Sequence, residues 1–143
     1  MKSLLRSAWF AITLSAASAA SADIVVIVHP DSPLVRMTSE QIANVYLGRD
    51  ARYTPIDLPE SARHRHWFYY KVTGRDLPQI KMIRARLMAQ STPPRIAQDS
   101  NEAVRFVAAH KNAIAYVERS AVDASVKEVM TVEEVAALQA LGN

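Results

Sequence analysis

Ile24-Val25-Val26-Ile27-Val28, closed by His29-Pro30, is the stretch that decides the fold. Five β-branched residues in a row leave no polar face, so the segment reads as a strand buried on both sides, as in the interior of a parallel sheet. Ala113-Ile114-Ala115-Tyr116-Val117 is a second run of the same kind. The two are expected to be neighbouring interior strands covered by helices on at least one side.

Helix and strand signals alternate around them. Thr38-Ser39-Glu40-Gln41 is a capping-box pattern ahead of a helix with Ile42, Val45 and Tyr46 on one side and a stop at Gly48. Thr54 to Leu58, bounded by Pro55 and Pro59, is a short strand expected at an edge or a strand start. Ser61 is the expected cap of a second helix, running through Trp67-Phe68-Tyr69-Tyr70 to Gly74. Asp76 with Gln79 opens a third helix, striped by Leu77, Ile80, Ile83 and Leu87, and Pro93-Pro94 breaks the chain. Asp99 with Glu102 opens a fourth helix, with Val104, Val107 and Ala108 turned inward. Ser125 to Met130 is a weaker strand, and Thr131 with Glu134 starts a last short helix through Val135 and Leu138. This order places the chain in the α/β class, a central sheet flanked by helices in two or three layers.

The first 22 residues have the three parts of a secretory signal peptide. Lys2 and Arg6 supply the positive start, Ser7 to Ala17 an uncharged apolar run, and Ala20-Ser21-Ala22 the small-x-small cleavage pattern. The expectation is export to the periplasm and a mature domain over 23–143, with no stable membrane insertion after cleavage. Removing 22 of 143 residues leaves 121, enough for one core. The chain has no Cys, so no disulfide staples it.

Lys+Arg exceed Asp+Glu by 3, and without Lys2 and Arg6 the excess is 1. The distribution says more. Ser61 to Arg95 holds Arg63, Arg65, Lys71, Arg75, Lys81, Arg84, Arg86 and Arg95 against Asp76 alone, so an anion-attracting surface or a set of solvated helix faces is expected there.

Catalytic patterns are missing. There is no Gly-x-Ser-x-Gly, no phosphate loop and no dinucleotide fingerprint, and the expected mature chain has only Gly48, Gly74 and Gly142. No enzymatic activity, cofactor or nucleic-acid partner is expected. His64 and His66 stand two apart on a helix and point to different faces, so no metal site is expected. Four consecutive aromatics, Trp67 to Tyr70, likewise point around the helix and read as packing residues rather than a stacking platform. Arg63-His64-Arg65 is the sharper feature. These residues fall in the first turn of a helix, where free N–H groups and the positive dipole end favour an anion and disfavour cations. With Ser61 they form the candidate ligand-binding set, open to a second reading in which the basic groups simply face solvent.

Taken in order, these segments resemble phosphate-type periplasmic binding proteins of ABC transporters. Ile24 to Pro30, Thr38-Ser39-Glu40-Gln41-Ile42 and Val45-Tyr46-Leu47-Gly48-Arg49 look like that family's apolar strand ending near Asn-Pro, its Leu-Thr-x-x-Gln-Leu helix start and its Ile-Phe-Leu-Gly-Lys. Arg65-His66-Trp67-Phe68 is similar to its Arg-x-x-Phe, and Ala113 to Val117 to its Ala-Ile-Gly-Tyr-Val. The resemblance runs from about Ile24 to Met130. It implies one lobe of a type 2 periplasmic-binding-protein-like fold, a solute-binding role for an oxyanion such as phosphate, and a match of Arg65 to the family's arginine. Where that family has Ser-Gly-Thr-Arg, this chain has Ala62-Arg63-His64-Arg65, with Ser61 one place early. The alternative is an interaction module that keeps one lobe and contacts an acidic protein partner through Ser61 to Arg95. A homodimer is a further route by which two lobes could form one cleft.

Overall fold

The computed structural model describes residues 23–87 and 93–132. The signal-peptide segment and everything after Val132 lie outside the described residues. The elements in chain order are β1 (Ile24–Val28), α1 (Ser39–Tyr46), β2 (Thr54–Asp57), α2 (Arg63–Thr73), α3 (Leu77–Leu87), β3 (Arg95–Ile96), α4 (Ser100–Ala109), β4 (Ala113–Glu118) and β5 (Lys127–Val132). They build a five-stranded sheet of order β3-β2-β4-β1-β5.

β1 and β4 are adjacent and interior, as their apolar runs require. β1 is antiparallel to both of its neighbours, however, and the parallel pairs are β2 with β4 and β2 with β3. The continuous apolar run reports burial on two faces rather than strand direction. Ile24, Val26 and Val28 pack with α1, α2 and Ile80 of α3, while Val25 and Ile27 pack with Ala103, Val104 and Val107 of α4. Three layers result, and both faces of the sheet are dry along β1 and over Ala113 to Val117 of β4.

The helix ends follow the local chemistry. Thr38 and Gln41 form the expected capping box, with Thr38 Oγ1 accepting from the Gln41 N–H and Gln41 Oε1 from the Thr38 N–H. Asp76 and Gln79 do the same for α3. Gly74 ends α2 in the left-handed region at φ +68°, where a side chain would be strained.

Toward the sheet edges one expectation holds and another needs correction. β2 is covered on both sides by neighbours, but β3 pairs only with Ile56 and Asp57. Pro55 therefore has no strand on its outer side, and its missing N–H breaks no ladder bond. At the other end, Thr131 does not start a helix: Thr131 and Val132 extend β5, opposite Val25 and Ile24. Burial of Val132 outweighs the local capping pattern. The rest of that predicted helix falls outside the described residues.

Candidate anion-binding site

The parallel strands β2 and β4 end at Asp57 and Glu118, and α2 and α4 begin beside those ends. Ligands of open α/β sheets bind at such carboxyl edges, where helix N-termini present N–H groups. Asp99 caps α4 by accepting from the Glu102 N–H at 2.8 Å. The Glu102 carboxylate reaches past it to the Gln98 N–H at 2.7 Å.

α2 starts differently. Its N-cap is Ala62, with no side-chain hydrogen bond, and not Ser61. A turn from Pro59 to Ala62, closed by the Ala62 N–H on the Pro59 carbonyl at 2.9 Å, places Ser61 inside the bend and one residue short of the cap. Glu118 links the two helix starts. Its N–H donates to Ser100 Oγ at 3.2 Å, and its carboxylate lies 2.6 Å from His64 Nε2.

Ser61 and Arg63 are exposed, while His64 and Arg65 are largely covered. His64 turns toward β4 and Glu118. Arg65 turns toward β2, with Nη2 3.3 Å from Asp57 Oδ2 and Nη1 3.9 Å from Glu60. Successive residues of a helix diverge by about 100°, so the two neighbours cannot share one direction. Three carboxylates thus face the first turn of α2. They offset the unfavourable placement of cations at a positive dipole end.

Asp57, which nothing in the sequence singles out, is the centre of this region. It is fully buried. Oδ1 accepts from the Tyr116 hydroxyl and from the Leu58 N–H at 2.8 Å, and Oδ2 from the Tyr69 hydroxyl at 2.8 Å. Arg65 and Arg84 bracket it, the Nη1 of Arg84 standing 3.8 Å away. Arg84 also donates to the Tyr46 carbonyl and the Tyr69 hydroxyl. Phe68 stacks on Tyr116 with ring centroids 3.8 Å apart, which fixes the Tyr116 ring. Two ideas would have pointed here: a carboxylate at the end of an apolar strand, and two tyrosines at core positions that need a polar partner.

Burial pushes the phenols of Tyr46, Tyr69 and Tyr116 well above their ordinary value, and the negative charge of Asp57 adds to the rise. A raised folded-state value means that the stability held by the neutral phenols is complete below about pH 10 and falls above it. There the unfolded chain gives up protons that the folded one retains. Alkaline titration followed by phenolate absorbance should show no more than two of the five tyrosines ionising in the native protein, with the other three appearing only on unfolding. Four or five phenolates in a molecule with native circular dichroism would contradict this packing.

Among the described residues no group of three or more His, Asp or Glu is placed to hold a metal ion, and no helix is long and apolar enough to cross a membrane.

The sheet order and helix layers define an α/β fold of the periplasmic-binding-protein-like type. Neither a protein-family model nor a curated protein sequence matches the chain. Solved structures do. One is a phosphate-bound protein from Clostridium perfringens assigned to the phosphate ABC transporter substrate-binding proteins. It is 23% identical with a TM-score of 0.63, over 75% of this chain and 44% of that one. An ABC-type phosphate transport receptor from Vibrio cholerae is 16% identical with a TM-score of 0.56, over 76% and 46%. PstS from Borrelia burgdorferi is 14% identical with a TM-score of 0.57, over 75% and 46%. The chain thus spans less than half the length of each, as one lobe would. At these identities the likeness shows the fold.

Proposed function

We propose that this chain is a periplasmic solute-binding domain of the phosphate ABC transporter substrate-binding type, without enzymatic activity, that binds an oxyanion such as phosphate at the start of α2. One observation carries the reading. The α2 N-terminus has no side-chain cap and opens at the carboxyl edge of the sheet, beside the start of α4. An anion there would meet backbone N–H groups of the first turn other than that of Arg65, which donates to the Ala62 carbonyl at 3.0 Å, with Ser61, Arg63, His64 and Arg65 around it. The fold it shares with a phosphate-bound protein supports the choice of ligand. Export would expose the site to periplasmic solutes, and mass spectrometry of the exported protein should then give Asp23 as its first residue; an intact Met1 would overturn that part.

Amide NMR tests the location. Phosphate should shift the N–H signals of residues 62–66 and leave those of α3 in place. Shifts confined to other elements would reject the site.

A second reading rests on a specific observation as well. His64 and Arg65 already contact carboxylates of their own chain, as in a structural ion-pair network. In that case the exposed Arg63, Arg75, Lys81, Arg86 and Arg95 would serve an acidic protein partner. Loss of partner capture on charge reversal at these positions, with no oxyanion bound by the wild type, is its signature.

A further inference from the structure

The C-terminal end of α1, α3, Pro55 and the Pro93-Pro94 pair surround an open cavity of about 760 Å³. That lies inside the range of roughly 300–1,000 Å³ typical of small-molecule sites. Val45, Leu47, Leu77 and Ile80 give it apolar walls. Arg65, Arg84 and Lys81 also line it, and the charges around it do not balance. Arg65 and Arg84 share the single buried carboxylate Asp57, Glu60 is the other acid at the site, and the three cations leave one positive charge in excess. Arg65 Nε is buried with no hydrogen-bond partner, so its donors are not all used within the protein.

Shape and charge together select the occupant. Inorganic phosphate is far smaller than the cavity, and aliphatic walls would leave most of its oxygens unpaired. A neutral hydrocarbon would fill the walls and leave the surplus charge unanswered. The geometry points to an amphipathic organic anion, a carboxylate on a hydrocarbon body, with its head on the Arg65–Arg84–Lys81 side and its body against Leu47, Leu77 and Ile80. This site shares Arg65 with the oxyanion site at the start of α2, while Lys81, Arg84 and the apolar walls belong to it alone, so its test does not require phosphate to bind.

Decanoate and decanol are suitable probes in calorimetric titrations of the purified protein. Decanoate should bind saturably, and decanol, which lacks the charge, at least about tenfold more weakly. Lys81→Glu, at an exposed position, should weaken decanoate severalfold and leave decanol unchanged. Ala85→Trp, also at an exposed position on α3, should fill the cavity and abolish uptake without lowering the melting temperature. Three results would overturn the inference. One is decanol binding as tightly as decanoate. The second is decanoate binding that survives Ala85→Trp. The third is no decanoate uptake, including the case where sedimentation shows a dimer that Ala85→Trp dissociates, since a second copy would then be the occupant.

Discussion

Replacing Asp57 with alanine is expected to remove about 3–5 kcal/mol of folding stability, the cost of leaving buried charge without its partner. Asp57 is fully buried and takes hydrogen bonds from the Tyr69 and Tyr116 hydroxyls and the Leu58 N–H, with Arg65 and Arg84 beside it. Alanine would strand two guanidinium groups and two phenols that sit out of water. A domain of this size holds about 5–15 kcal/mol in all, so denaturant melts should show a large fall in midpoint. Asparagine should rescue little, because its amide brings donors to a place already crowded with donors. A double-mutant cycle separates the charge from the packing. If Arg84 is stranded by the loss of Asp57, then Asp57→Ala with Arg84→Met should cost less than the two single changes summed. Additive costs, or a loss below about 1 kcal/mol for Asp57→Ala alone, would show that the carboxylate does not hold this network together.

Val26→Asp is expected to cost on the order of 3 kcal/mol or more. Val26 lies at the middle of β1, fully buried, between Tyr116 of β4 and Met130 of β5. Its side belongs to the core that includes Ile42, Tyr46 and Phe68, so a carboxylate there would be buried among aliphatic and aromatic side chains. Val35→Asp is the matched control. Val35 is 82% exposed, and the same substitution there should change stability by no more than about 0.5 kcal/mol. Equal melting of the two variants would mean that β1 is not an interior strand.

How much of this was legible in the sequence depends on how local each signal is. β1 and β4 could be read because their burial is written in five consecutive side chains each, and Thr38–Gln41 and Asp76–Gln79 because a capping box closes over four residues. Strand direction was not legible. Antiparallel pairing of β1 with β4 and β5 depends on where long connections return, which no local pattern encodes. Thr131 failed for the same reason, since pairing with Val25 overrides a capping pattern.

The site divides along similar lines. Arg63, His64 and Arg65 were visible as cations in a first helical turn, which local rules disfavour. The carboxylates that make the arrangement tolerable were not, because Asp57 and Glu118 come from two different strands. Ser61 was misplaced by one residue, the usual uncertainty of a helix start when a turn precedes it. Arg84 was legible only as one more basic residue on α3. Its role became visible once the fold set it beside Tyr69 and Asp57.

Calorimetric titration of the purified protein with phosphate, with Arg63→Ala in parallel, tests the proposed function most directly. Arg63 is the informative position, since it is exposed, whereas loss of Arg65 would also disturb Asp57. The expected result is saturable binding by the wild type, weakened about 10- to 150-fold in Arg63→Ala by loss of one charge-assisted contact, with native circular dichroism retained. Heats indistinguishable from dilution for both phosphate and sulfate at millimolar concentration would contradict an oxyanion site on this lobe.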